Sequence, residues 1–147
     1  MTTRTLAVVS AGLSTPSSTR LLADRLTAAT VAALRVGGDD ATVEVVELRT
    51  HARDLADDLV TGFANESLRA AIDTVVGADG LIAVTPVFSA SYSGLFKTFF
   101  DVLDKDSLTG TPVLRREFAA VRPAHVPDAP THASLIAAQS RQEVEVR

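Results

Sequence analysis

Two short, almost unbroken apolar runs, Thr5–Ser10 (TLAVVS) and Gly80–Thr85 (GLIAVT), constrain this chain more than any other feature. Runs of that length without polar alternation are strands covered on both faces, and such strands belong to parallel sheets flanked by helices. The segments around them keep that rhythm. From Thr19 to Leu34, helical spacing puts Leu22, Leu26, Ala29 and Ala33 on one face, until Gly37-Gly38-Asp39-Asp40 breaks the pattern. Ala41–Leu48 (ATVEVVEL) reads as a second strand whose partial alternation places it nearer the sheet edge. The acidic stretch Thr50–Phe63 reads as a loop with a helical turn near Leu55–Val60. Asn65 is the expected N-cap of a helix through Val76 that buries Leu68, Ala71, Ile72 and Val75. Gly80–Thr85 is then stopped by Pro86, Gly94–Leu103 forms a further helix, and Thr111–Leu114 begins a fourth strand. The class is α/β, a parallel sheet with right-handed crossovers.

Composition narrows the functions such a fold can carry. At 147 residues the chain suggests one domain, and 46% hydrophobic residues give it a real core. A net charge of −4 provides no basic stripe for a phosphate backbone, which argues against nucleic acid as a partner. With no cysteine, thiolate catalysis, disulfides and Cys-ligated metals are excluded. His51, His125 and His132 are scattered without metal-ligand spacing, so no metal site is expected. The apolar run Leu6–Val9 is too short for a signal-peptide core or a membrane span, which makes a cytoplasmic location the expectation.

In open parallel sheets, ligands bind beyond the carboxyl ends of the strands, and two loops at such ends stand out. Ser10–Thr19 (SAGLSTPSST) contains Ser10, Ser14, Thr15, Ser17, Ser18 and Thr19 and no charged residue. A helix N-terminus rich in hydroxyls holds a phosphate without a cation. The plainer reading is that Ser17 or Ser18 caps the helix while Gly12 and Pro16 shape the turn. A cap uses one hydroxyl, however, and this loop has six. Other phosphate and catalytic loops are excluded by inspection: there is no Gly-Lys-Ser/Thr ending, no G-x-G-x-x-G, no carboxylate after the strand and no G-x-S-x-G. Arg20 either approaches the phosphate or decorates the helix.

The second loop, Thr85–Lys97 (TPVFSASYSGLFK), follows the third strand. Ser89, Ala90, Ser91, Tyr92, Ser93 and Gly94 are small or hydroxylic and let main-chain N–H groups approach a flat ligand. Against this, Phe88 and Tyr92 also suit core or subunit contacts.

Together the loops resemble the NADPH-dependent FMN reductase family of flavodoxin-like folds. That family has a Ser-containing loop before its first helix, here Ser10 followed by Pro16-Ser17-Ser18-Thr19-Arg20-Leu21-Leu22. Its second motif resembles Thr-Pro-x-Tyr-x-x-Ser-x-x-Gly-x-Leu-Lys-x-x-x-Asp, matched here from Thr85 to Asp101 with Phe88 in place of Tyr and Phe96-Lys97 in place of Leu-Lys. The resemblance implies a flavodoxin-like doubly wound sheet and FMN and NAD(P)H as cofactors. It implies reduction of FMN, or of a quinone-like acceptor through bound FMN, in a homo-oligomer (dimer or tetramer). Ser10, Ser17, Ser18 and Thr19 would hold the FMN phosphate. Pro86, Val87, Phe88, Ser89, Ala90 and Ser91 would line the flavin ring. No catalytic side chain is implied, because the hydride passes directly from nicotinamide to flavin. Lys97 and Asp101 read as structural or subunit-contact residues.

The resemblance spans residues 3–114, an FMN-binding core followed by an atypical tail, 115–147. Arg115-Arg116-Glu117 interrupts what should be a buried strand, and Pro123, Pro127 and Pro130 exclude a helix or central strand over 122–131. On this reading the sheet is incomplete, Gly80–Thr85 keeps an unpaired edge, and the chain self-associates or dissolves poorly. The alternative function is a non-catalytic FMN-binding protein or partner subunit lacking the second half of the site.

Overall fold

The computed structural model describes residues 1–119. Within these residues, four parallel strands form the sheet: β1 (Thr3–Ser10), β2 (Asp40–Glu47), β3 (Gly80–Phe88) and, after a two-residue strand β4 (Ser91–Tyr92), β5 (Val113–Phe118). Their spatial order is β2-β1-β3-β5, with β4 folded antiparallel onto the far end of β3. Helix α1 (Ser18–Val36) covers one face; α2 (Ala52–Thr61), α3 (Glu66–Val76) and α4 (Gly94–Asp101) cover the other. This is the flavodoxin-like α/β fold.

Strand alternation divides the core. Val8, Ile82 and Val84 face α1 with Ala23, while Ala7, Val9, Leu81 and Ala83 join Leu55, Leu68, Val75, Phe96 and Phe99 on the opposite face. Phe99 is fully buried and stacks edge-on against Phe100. Among the described residues β2 is the sheet edge that its mixed pattern suggests: Val46 is buried while Val45 is exposed. Asn65 caps α3 as expected, accepting from the Leu68 amide at 2.9 Å, and Leu68, Ala71 and Val75 form the buried face.

Several expectations are corrected. Thr50–Phe63 is mostly ordered helix, a 3-10 turn at Leu48–His51 leading into α2. One fully buried side chain, Leu55, anchors α2, and Gly62 ends it in the left-handed conformation at φ 75°. Along α1, Ala29 and Ala33 lie on the exposed side; the sheet-facing positions are Thr19, Leu22, Ala23 and Leu26. Helix α4 ends at Asp101 instead of Leu103.

Pro86 does not stop β3. The Val84 carbonyl accepts the Ala11 amide at 2.9 Å, so even-numbered backbone groups here point toward β1. Pro86 shares that parity but lies beyond the last β1 pairing, Ser10 with Val84. Its missing N–H therefore breaks no ladder bond.

The largest correction concerns Arg115–Phe118. These residues continue the fourth strand, paired in parallel with β3 from Leu81–Val113 through Pro86–Phe118. Gly80–Thr85 is thus not an unpaired edge. Arg115 and Arg116 are tolerated because both stay exposed on a strand only partly covered by the described residues. The readings made for Pro123, Pro127, Pro130, His125 and His132 lie outside the described residues.

Candidate active site at the switch between β1 and β3

The chain leaves β1 toward α1 on one face and leaves β3 toward α4 on the other, while the strand order runs outward in both directions from this pair. That reversal opens a crevice at the carboxyl ends of β1 and β3. The in-register pair Ser10–Val84 fixes how the two loops face each other. Ser10 ends β1 and Ser17, Ser18 and Thr19 open α1 on one side of this switch; Pro86, Val87 and Phe88 end β3 on the other, and Ser89, Ala90 and Ser91 turn from it into β4.

The first loop is built around a close approach. Ala11 and Gly12 are buried, Leu13–Pro16 exposed, and the chain curls back so that Ser17 lies against Gly12. A Cβ on Gly12 would collide with Ser17 Oγ and sit 3.1 Å from Thr19 Cβ. Only glycine permits that contact. Ser17 is the N-cap: its Oγ accepts the Arg20 amide at 3.1 Å. The amides of Ser18 and Thr19 have no carbonyl one turn earlier to bond, and the first turn contains no acid. What remains is the N-terminus of a 19-residue helix with two donors unpaired among the described residues and hydroxyls from Ser18 and Thr19 beside it. An anion fits there. Ser10 and Thr19 are both buried against this turn.

Arg20 does not enter the crevice. Its guanidinium binds Asp24 at 2.8 Å and Glu47 at 2.6 Å, and these carboxylates, Asp24 foremost, hold its pKa above the ordinary value. Glu47 also reaches Arg49 Nε at 3.4 Å. Arg49 Nη1 in turn donates to the Ser14 carbonyl at 3.1 Å and to the Thr15 hydroxyl. Nothing in the sequence pattern identified Glu47 or Arg49, because their partners are brought near only by the β1–β2 pairing.

The second loop is shaped by its backbone. Val87 pairs with Tyr92 and Phe88 with Ser91, which leaves Ser89 and Ala90 as the two turn residues. Both adopt positive φ, 50° and 62°, the pattern of a type I′ hairpin normally filled by Asn-Gly. Non-glycine residues there cost about 1–2 kcal/mol each, and such outliers concentrate where a ligand is clamped. At the hairpin base, buried Thr85 Oγ1 accepts the Ser93 amide at 3.0 Å and donates to the Pro86 carbonyl at 2.9 Å. Ser93 Oγ then caps α4 by accepting from Phe96 N at 3.1 Å. Phe88 is 49% exposed, so it is not a core aromatic. Tyr92 leans on Phe96 with ring centroids 6.0 Å apart. Lys97 and Asp101 pair with each other along α4, which raises the lysine's pKa.

An open cavity of about 580 Å³ lies at the opposite end of the strands, lined by Arg4, Asp79, Gly80 and Pro112 among others. None of the residues of the Ser10–Thr19 loop or of Pro86–Ser91 lines it. Among the described residues, no three His, Asp or Glu side chains gather as metal ligands.

The family model described as NADPH-dependent FMN reductase matches residues 4–127. The chain belongs to that family. An FMN reductase (NADPH) of Pseudomonas aeruginosa is 36% identical over 106 residues, which is 72% of this chain and 54% of that protein. The NADH-dependent FMN reductase SfnF of Pseudomonas putida is 35% identical over 107 residues, 73% of this chain and 55% of its own length. This member of the family thus spans about half the length of the curated relatives it matches. Among solved structures, an oxidoreductase from Corynebacterium diphtheriae superposes with a TM-score of 0.77 at 45% identity, over 80% of this chain and 64% of that one. An NADH:FMN oxidoreductase (EMOB) in its apo form gives 0.63 at 26% identity, over 94% and 66%.

Proposed function

We propose that this chain binds FMN in the crevice between β1 and β3, and that the whole protein is an NAD(P)H-dependent FMN reductase. The observation that carries the reading is the pairing of an acid-free helix N-terminus with a strained main-chain hairpin on the adjacent strand. One suits a phosphate and the other the edge of a flat ring. The amides of Ser18 and Thr19, with the hydroxyls of Ser10, Ser17, Ser18 and Thr19, hold the phosphate. Pro86 to Ser91 line the ring, with Phe88 exposed beside it. Bound FMN supplies a hydride acceptor for a nicotinamide, so the protein's task is to hold and orient the flavin, and no acid or nucleophile is needed. The names of the relatives support both cofactors.

The flavin-binding unit consists of residues 1–114 together with the rest of β5. A cytoplasmic location is consistent with the lack, among the described residues, of any helix long and apolar enough to cross a membrane. A homo-oligomer, dimer or tetramer, is supported by the exposed apolar side chains Leu59, Val60 and Phe63 at the end of α2.

Flavin fluorescence quenching on titration with FMN, followed by NADH and NADPH oxidation with FMN added, tests the proposal. Saturable quenching with nicotinamide oxidation supports it. Quenching without oxidation supports the non-catalytic FMN-binding alternative, and no quenching refutes both.

A further inference from the structure

We propose that Arg49, oriented by Glu47, is a positioning residue that latches the phosphate loop, resting on the FMN reading above. Leu13, Ser14, Thr15 and Pro16 are all exposed, so burial does not fix this part of the loop. The segment has no charge of its own. Two bonds from Arg49, to the Ser14 carbonyl at 3.1 Å and to the Thr15 hydroxyl, tie it to the end of β2. Arg49 is held in turn: Glu47 Oε2 lies 3.4 Å from its Nε, while Glu47 Oε1 binds Arg20, the residue whose amide Ser17 caps. One carboxylate on β2 therefore connects both ends of the loop, its middle through Arg49 and its helical end through Arg20.

The side chains of Glu47 and Arg49 are 27% and 35% exposed. An ion pair that open to water adds little to global stability. Its effect is local, fixing the turn that delivers Ser17, Ser18 and Thr19 in register with one another. A loop that must be ordered on binding costs affinity, and Arg49 removes part of that cost in advance. The phosphate end of the ligand should feel this, and the ring end should not.

The test uses the full chain with Arg49→Gln, Arg49→Lys and Glu47→Gln, titrated with FMN and with riboflavin. Hydrogen exchange of peptides covering residues 10–20 is followed without flavin. Arg49→Gln is expected to weaken FMN about tenfold and leave riboflavin unchanged. Exchange over 10–20 should quicken, and the melting temperature should barely move. Arg49→Lys should restore part of the loss, and Glu47→Gln should show a smaller loss with the same preference for FMN. Unchanged FMN affinity in Arg49→Gln overturns the latch, as does an equal loss for riboflavin. If the wild type binds neither flavin, the FMN reading fails separately; quickened exchange then still supports the latch, and unchanged exchange overturns it.

Discussion

The two loops that flank the crevice are held in shape by opposite means. The β1–α1 loop is held by side chains and one missing side chain: the Ser17 cap, the Arg49 bonds and the Gly12 contact with Ser17. The β3–β4 loop is held by its backbone, in which Ser89 and Ala90 take positive φ and Thr85 and Ser93 tie the base. Unpaired donors at a helix end suit a charge, whereas main-chain groups in a fixed hairpin suit a planar edge. If that division is real, damage to the first loop should discriminate between phosphorylated and unphosphorylated flavin, and damage to the second should not.

The largest effect is expected at the hairpin base. Thr85→Val leaves the Ser93 amide buried without its partner and should destabilise the protein by about 1–3 kcal/mol. FMN and riboflavin affinities should fall together, as read by denaturant melts and parallel titrations; a loss confined to FMN would erase the contrast. Next comes Gly12→Ala. The added Cβ must displace Ser17 Oγ, disabling the cap at a cost of about 1–2 kcal/mol. Here FMN should weaken and riboflavin hold. Smallest is Ala90→Gly, which relieves the left-handed strain and should raise stability by about 0.5–1 kcal/mol in a thermal melt. A destabilised Ala90→Gly variant would mean that the positive φ at 90 is not strained.

The same contrast explains what could be read from the sequence. Apolar runs and helical spacing placed β1, β3, α1 and α3, because burial on both faces of a sheet leaves a local signature. Ser17 as a cap and Asn65 as another were readable for the same reason, since capping is chemistry within four residues. Helix α2 was read only as a turn near Leu55–Val60 because a single buried Leu55 anchors it and its surface mixes Asp54, Asp57 and Asp58 with exposed Leu59 and Val60. The Arg115-Arg116-Glu117 stretch was misread because, among the described residues, β5 pairs only with β3, and a strand so partly covered tolerates charges that a buried one does not. In the site, Ser10, Ser17, Ser18 and Thr19 were placed together by a hydroxyl-rich loop, and Pro86 to Ser91 by a motif. The hairpin turn was hidden because Ser89-Ala90 lacks the usual Asn-Gly. Arg49 was hidden because its partners Ser14 and Thr15 lie more than thirty positions away in the chain, and Glu47 because Arg20, at the start of α1, is as far from local reach.

The central claim, that a phosphate sits on the N-terminus of α1 while the ring rests on the hairpin, is tested most directly by titrating wild type and a Ser17→Ala/Ser18→Ala double variant in parallel. Each is titrated with FMN and with riboflavin under conditions where both are folded. The account predicts that the double variant loses about 1–3 kcal/mol of FMN binding, the scale of lost hydrogen bonds to a charged acceptor, while riboflavin binding stays at the wild-type value. Equal weakening of both flavins, or weakening of neither, would contradict it.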